Sequence, residues 1–354
     1  MATAPAGSGA EAAITAPATT SRLSPRKMLL KPEMGALAGA AAVWMFFAIV
    51  AGDRGFLNAR GTASYLEVAA ELGILAAAVS LLMIGGEFDL SLGSTIGGCG
   101  MIAALVASEY GHNLWLGIGA ALLFAIVVGM ANGFLVLKTG LPSFIVTLAM
   151  LFMIRGATTG MTLRVTNRTQ VGGLRDVPGY DTASSLFANE FSLFGANFAG
   201  SIVWWLGFTA IAAWILLRSR FGNWITGSGG NVQAARNVGV PIERVKILLF
   251  VGTAVSAWLL AMIQIINAGS ADVVRGEFKE FYAIVAAVIG GTLLTGGYGS
   301  VIGGALGALI FGMVQQGIVY AGVDGQWFDF VLGAMLLIAV LVNRFVRMRA
   351  VSTR

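Results

Sequence analysis

A run of residues able to bind or cap lies between two glycine pairs, in Gly85-Gly86-Glu87-Phe88-Asp89-Leu90-Ser91-Leu92-Gly93-Ser94. Asp89 and Ser91 suit the start of a helix, because their oxygens can accept hydrogen bonds from the unpaired N–H groups of the next turn. The same oxygens, with that of Ser94, also suit a polar solute, so both roles stand. Glu67 and Glu71 are four residues apart, hence on one helix face, and no Lys or Arg of the apolar stretch 65–84 pairs with them. They face a polar route, or in the case of Glu67 the solvated interface. Gln264 and Asn267, then Gln315 and Gln316, carry amides that can bond a hydroxylated solute or a neighbouring helix.

The templates for catalysis fail. His112 is the only histidine and lies in the turn Gly111-His112-Asn113, and no Gly-x-x-x-x-Gly-Lys-[Ser/Thr] run is present. No cluster of ligand-forming residues suggests a metal, and the single Cys99 sits in a glycine run as a small packing residue. The expectation is a chain that is not an enzyme, has no catalytic or metal-binding residues and binds no cofactor of its own. If it pumps, another chain must hydrolyse the nucleotide.

The elements that must position these residues follow from composition. Hydrophobic residues make up 57% of the 354 residues, charged residues only 11%, and mean hydropathy is +0.83, whereas a soluble domain carries about a quarter charged residues. Apolar stretches of about 15 to 22 residues recur, the reach needed to cross a hydrocarbon core. Ten spans are predicted: 34–51, 65–84, 92–108, 114–137, 143–156, 199–217, 247–268, 281–294, 301–319 and 328–342. The fold class is therefore an all-α polytopic membrane protein of about ten transmembrane helices. Residues 1–33 read as a disordered N-terminal tail, 34–343 as the membrane domain and 344–354 as a C-terminal tail.

Ten spans put both termini on one side. The tails, Lys138 and the loop 218–246 then hold 14 of the 22 basic residues, which places both termini and that loop in the cytoplasm and 157–198 outside. The net charge of +5 lies beside apolar spans rather than on a soluble face, which points to the bilayer and away from nucleic acid.

Two distant stretches repeat one pattern. Ile84-Gly85-Gly86 is followed after six residues by Gly93-Ser94-Thr95-Ile96-Gly97-Gly98, and Ile289-Gly290-Gly291 after seven by Gly299-Ser300-Val301-Ile302-Gly303-Gly304. Each copy ends one span, breaks and starts another, an arrangement that marks symmetric halves of transporters. The spacing leaves parallel and inverted repeats both open. Helix breaks inside a bilayer expose backbone groups that must line a cavity or be buried in protein.

The loop Arg218 to Lys246 contains Asn231-Val232-Gln233-Ala234-Ala235-Arg236-Asn237-Val238-Gly239-Val240-Pro241, a short helix stopped by Gly and Pro. Gln233-Ala234-Ala235, three residues, then Gly239 resembles the Glu-Ala-Ala-x-x-x-Gly coupling motif of permease subunits in ATP-binding-cassette importers, with Gln in place of Glu. The stretch from Gly229-Gly230-Asn231 to Ile247, the Gly86 to Ser94 element and Glu280 to Gly299 are similar to the ribose, xylose and arabinose branch of bacterial sugar-import permeases. Asn132-Gly133 and Pro142 to Leu148 agree with that branch.

This resemblance covers about Tyr65 to Asn343. It implies a permease subunit in the bacterial inner membrane that imports a monosaccharide of the pentose type, working as a dimer of two permease copies. It also implies cytoplasmic ATPase subunits that hydrolyse ATP and dock on Gln233, Ala234, Ala235, Arg236 and Gly239, and a periplasmic sugar-binding protein that delivers the solute. Asp89, Ser91, Ser94, Gln264, Asn267 and Gln315 are the pathway candidates. The rival expectation is a self-contained, ion-coupled carrier or channel using Asp89, Glu67 or Glu71 as its ion site.

Overall fold

A computed structural model describes the backbone of residues 32–352 and the side-chain surroundings of residues 33–341. The reading of an N-terminal tail lies, as far as residue 31, outside the described residues, as do the side chains of the expected C-terminal tail. Among the described residues the chain runs α1 (Pro32–Ala51), α2 (Ala59–Ile84), α3 (Leu92–Ala104), α4 (Leu114–Thr139), α5 (Ser143–Thr166), β1 (Gln170–Val171), α6 (Tyr180–Phe187), β2 (Glu190–Leu193) and β3 (Ala196–Ala199). It continues with α7 (Ser201–Arg218), α8 (Arg220–Gly230), α9 (Val232–Asn237), α10 (Ile242–Ala268), β4 (Ala271–Asp272), α11 (Lys279–Ile289), α12 (Val301–Tyr320) and α13 (Phe328–Ser352).

Helices dominate because a bilayer offers no water to the backbone, so each N–H and C=O must find its partner within the protein. Among the described residues eight helices are long and apolar enough to cross a membrane. Each of the ten predicted spans falls on a helix, with one marked difference. The predicted eighth span, 281–294, is the eleven-residue α11, which stops at Ile289 before Gly290-Gly291. At 1.5 Å per residue it reaches only about 16 Å, roughly half of a hydrocarbon core. The short fifth span extends instead to Thr166. Polar threonines continue it because Thr162 and Thr166 donate their hydroxyls to the carbonyls of Thr158 and Thr162 at 2.7 and 2.9 Å.

The distribution of apolar side chains is that of a membrane protein. Ile49, Trp214 and Phe152 are 83%, 63% and 63% exposed on α1, α7 and α5, positions that water would penalise and lipid does not. By contrast every residue of α2 from Leu72 to Ser80 is buried. Around it lie α12, α7, α10 and α11. Where α4 crosses α10, a Cβ at Gly129 would lie 2.7 Å from the Phe250 carbonyl oxygen and the Val251 Cα, so only glycine admits this backbone approach.

At the end of the bundle away from α9, β2 and β3 form an antiparallel hairpin whose turn is Phe194-Gly195, with φ of 52° and 74°, as a type I′ turn requires. There β1 also pairs with β4, Gln170 opposite Asp272 and Val171 opposite Ala271, fastening the loop after α5 to the segment after α10.

Gly129→Ala is expected to destabilise the protein by about 1–3 kcal/mol, the usual cost of overpacking. Gly119→Ala, on the same helix with open space where its Cβ would go, is expected to be neutral or slightly stabilising. Thermal unfolding of the two variants in detergent separates them.

Candidate functional site

The break between α2 and α3 is held by hydroxyl side chains. Residues 85–91 leave the helical path, and the exposed donors of such a segment need partners. The Phe88 N–H donates to Ser143 Oγ and the Leu90 N–H to Thr147 Oγ1, each at 3.0 Å. Two residues along an extended chain cover about the same distance as one turn of helix, so the i, i+4 pair on α5 matches the i, i+2 pair of the break. Neither Ser143 nor Thr147 stood out in the sequence as a partner of the break. The usable signal was their spacing opposite a segment bound to have unpaired donors.

Asp89 is 3% exposed. Its Oδ1 accepts from the Ser91 N–H at 3.0 Å and the Ser91 hydroxyl at 2.6 Å, and its Oδ2 from the Thr253 hydroxyl at 2.7 Å. The Asn132 amide donates to Ser91 Oγ at 2.8 Å and lies 3.5 Å from Asp89 Oδ1. A buried carboxylate is thus stabilised by neutral donors from three elements, α4, α10 and the break itself. The capping role considered for Ser91 is not made: its hydroxyl turns away from the helix start to donate to Asp89 Oδ1. Ser94, inside α3, donates to the Ser91 carbonyl at 2.8 Å.

The repeat is real in three dimensions, and its first half is matched bond for bond. Gly85, Gly86 and Glu87 donate their N–H groups to Leu81, Met83 and Leu82; Gly290, Gly291 and Thr292 donate to Ala286, Val288 and Ala287. The second glycine of each pair is left-handed, with φ of 85° at Gly86 and 89° at Gly291, a conformation glycine adopts without strain. The two copies run in the same direction. At the start of α11, Lys279 lies 3.5 Å from Glu71 in the middle of α2, and after its end Gly297 N–H donates to the Ile84 carbonyl at 2.8 Å. The second halves diverge. Helix α12 starts after Ser300, whose hydroxyl accepts from Gly303 N–H at 3.2 Å, whereas α3 starts before Gly93-Ser94.

The breaks meet the loop that the sequence singled out. Helix α8 is capped by Ser219, and α9 by Asn231, which accepts from the Ala234 N–H at 2.9 Å. Gly239, at φ 84°, closes α9. At the end of α8, Gly229 lies on the Ile84 carbonyl, and a Cβ there would be 2.7 Å from Gly297 N. A Cβ at Gly296 would be 2.8 Å from Gly86 Cα, and one at Gly297 2.7 Å from Gly230 Cα. Beside this backbone junction Lys246, near the start of α10, forms an ion pair with Glu87 in the break, both side chains largely buried.

On α9 Gln233, Ala234 and Arg236 are exposed, as is Gly239 just past its end. Arg236 lies 3.7 Å from Glu243, an exposed pair of the kind that contributes little. Ala235, expected to dock with the others, is 5% exposed and turned against Gly227, where its small side chain seats α9 on α8. The apolar residue that projects furthest is Val238, just past the end of α9 and 80% exposed, and one valine beside a glycine carries no pattern in the sequence.

The remaining candidates lie elsewhere in the bundle. Gln264 on α10 donates to Glu71 Oε2 at 2.7 Å. Asn267 is exposed one turn further, with its carbonyl 3.4 Å from Arg175 Nη2. Gln315 is half-buried on α12. No described hydrogen bond joins these three to the Asp89 network.

Crossing helices, a doubled helix break and a capped α8 whose end lies on both breaks make this a multi-pass membrane protein with interrupted helices. Residues 61–340 match the family described as the branched-chain amino acid transport system / permease component, and the chain belongs to that family. It is 30% identical over 331 residues to the ribose import permease protein RbsC of Escherichia coli (strain K12), covering 92% of this chain and 98% of that protein. It is 31% identical over 366 residues to the xylose transport system permease protein XylH of the same strain, covering 89% and 92%. The autoinducer 2 import system permease protein LsrD of Klebsiella pneumoniae is 32% identical over 274 residues, 76% of this chain and 79% of that protein. No solved structure matches the chain.

Thr147→Val leaves the Leu90 N–H without its partner at unchanged side-chain size. The expected cost is about 1–3 kcal/mol, that of an unsatisfied buried donor, with Thr147→Ser close to the parent. Detergent unfolding midpoints of the three proteins check it.

Proposed function

We propose that this chain is the membrane-spanning permease subunit of an ATP-driven importer for a monosaccharide of the pentose type. The observation that carries this reading is the seat of α9. It is a short, doubly capped helix that exposes Gln233, Ala234 and Arg236, with Val238 just past its end, and it is joined through Asn231 to α8, whose Gly229 and Gly230 lie on both helix breaks. Such a helix suits docking in a groove of a cytoplasmic ATPase, with Val238 as the apolar anchor and Arg236 pairing with an acidic group. Ala235 and Gly239 act by holding its shape.

ATP binding by the partner subunits moves α9, and the Gly229 junction with the Lys246–Glu87 pair carries that movement to both breaks. Asp89, Ser91 and Ser94 hold the first break as one hinged unit, while Gln264, Asn267 and Gln315 belong to the solute route. Two copies of the permease form the route between them in the bacterial inner membrane, with both termini cytoplasmic, and a periplasmic sugar-binding protein delivers the solute. The names of the ribose and xylose permeases support the pentose assignment.

Val238→Asp is expected to lower recovery of the ATPase subunits with the affinity-tagged permease by about tenfold, since an unpaired charge replaces a desolvated apolar contact. Unchanged recovery, with sugar-stimulated ATP hydrolysis at the parental rate, overturns the docking role.

Lys246→Glu leaves two buried carboxylates together and is expected to cost about 3–5 kcal/mol, the usual cost of breaking a buried pair. Glu87→Lys combined with Lys246→Glu is expected to recover most of the stability and of the coupling. Unfolding midpoints and the ratio of uptake to ATP hydrolysis read the two effects separately.

A further inference from the structure

Helix α2 carries a polar stripe that the coupling machinery does not use. Arg60, Ser64, Glu67 and Glu71 follow at spacings of four, three and four residues, which sets them one above another on one face. Over about 16 Å of helix, Arg60 and Glu67 are exposed and Ser64 and Glu71 half-buried. The stripe then stops: Ile74, Leu75 and Ala78, next on the same face, are 0%, 0% and 5% exposed. It begins at the end of α2 remote from α9, since the other end, Ile84, is the one that touches Gly229.

At the lower end of the stripe three elements converge. Glu71 Oε2 accepts from Gln264 Nε2 at 2.7 Å and lies 3.5 Å from Lys279 Nζ. The Glu71 and Lys279 side chains remain 21% and 24% exposed. Gln264 Oε1 has no hydrogen-bond partner among the described residues. An ionised group facing hydrocarbon at the middle of a span costs about 2.5–3.5 kcal/mol, which favours turning the partly exposed Glu67, Glu71 and Lys279 toward water over turning them toward lipid.

We propose that the stripe lines a water-filled vestibule open to the face remote from α9, and that Glu71, Gln264 and Lys279 form a solute-binding site at its floor. The proposal rests on the importer reading and names the site that the solute meets first. Glu71 and Lys279 neutralise each other while offering acceptors and donors, and the Gln264 amide holds the Glu71 carboxylate in place. That set binds an uncharged polyhydroxylated solute and gives no net attraction to an anion or a cation.

The test uses the assembled complex without ATP, so it reads access and binding separately from coupling. Cysteine is placed at Ser64, Glu67 or, as control, Ala78; the native Cys99 is buried. A membrane-impermeant cationic thiosulfonate added from the face remote from α9 is expected to modify positions 64 and 67 but not 78. D-ribose, D-xylose or D-glucitol is expected to slow modification of the Glu67→Cys protein, and sodium D-gluconate is not.

Adding Glu71→Gln to Glu67→Cys is expected to raise the protecting sugar concentration about tenfold, the value of one hydrogen bond to a charged group. Unreactive cysteines at 64 and 67, the pattern of a face covered by lipid or by a second copy, overturn the vestibule. Reactive cysteines that none of the three uncharged solutes protects, or that gluconate protects equally, overturn the site. Failure of the importer reading shows instead when the unaltered tagged permease recovers no ATPase subunits and supports no sugar-stimulated ATP hydrolysis.

Discussion

Backbone lies directly on backbone where Gly229 and Gly230 meet Gly86, Gly296 and Gly297, and the Gly297 N–H donates to the Ile84 carbonyl at 2.8 Å. A side chain on Gly229, Gly296 or Gly297 would separate three segments that are remote in sequence: the end of α8, the first helix break and the second. Such contact is stiff because no side chain can change rotamer to absorb a displacement. Helix α9, joined to α8 by a single residue, is therefore tied to both breaks. A force on its exposed face reaches the middle of the bundle along a short covalent and close-packed path.

The same absence of water governs the breaks themselves. An interrupted helix in a bilayer leaves donors that lipid cannot satisfy, and here Ser143 and Thr147 of α5 take two of them. Asp89 is the complementary case, a buried acceptor surrounded by Ser91, Thr253 and Asn132. These bonds join α5, α4 and α10 to the first break, so its shape depends on three helices at once. The second break is closed differently, by the Ser300 cap and by glycine contacts, which gives the two repeat copies a common helix end and unequal restarts.

The two ends of the bundle also differ in electrostatic character. Near α9 the charges of Glu87 and Lys246 are paired and largely withdrawn from solvent. Toward the other end Arg60, Glu67 and Glu71 stay partly open along one face of α2, with Lys279 of α11 beside Glu71. A pair withdrawn from solvent resists separation, which suits a fixed link. Groups left partly open inside the bundle suit contact with water or a polar ligand, as a route requires.

Much of this molecule was legible in its residues, for reasons that differ from feature to feature. Membrane residence, helices and approximate spans followed from hydropathy alone, because the bilayer constrains every backbone group in the same way. The repeat and the helix at Asn231 to Gly239 followed from glycine spacing and capping residues, which act locally. Three things were decided only in the folded chain. Glycines ended α11 after eleven residues, since a half-length helix can end at depth only when Gly297 and its neighbours are there to bury it. Ala235 turned inward while Val238 projected, because six residues of helix show no periodicity strong enough to choose a face. Finally, Asp89 found Thr253 and Asn132, and Glu71 found Gln264 and Lys279, across separations of 43 to 208 residues. Local sequence determines where polar groups lie along a helix, and only the packing of helices decides which of them meet.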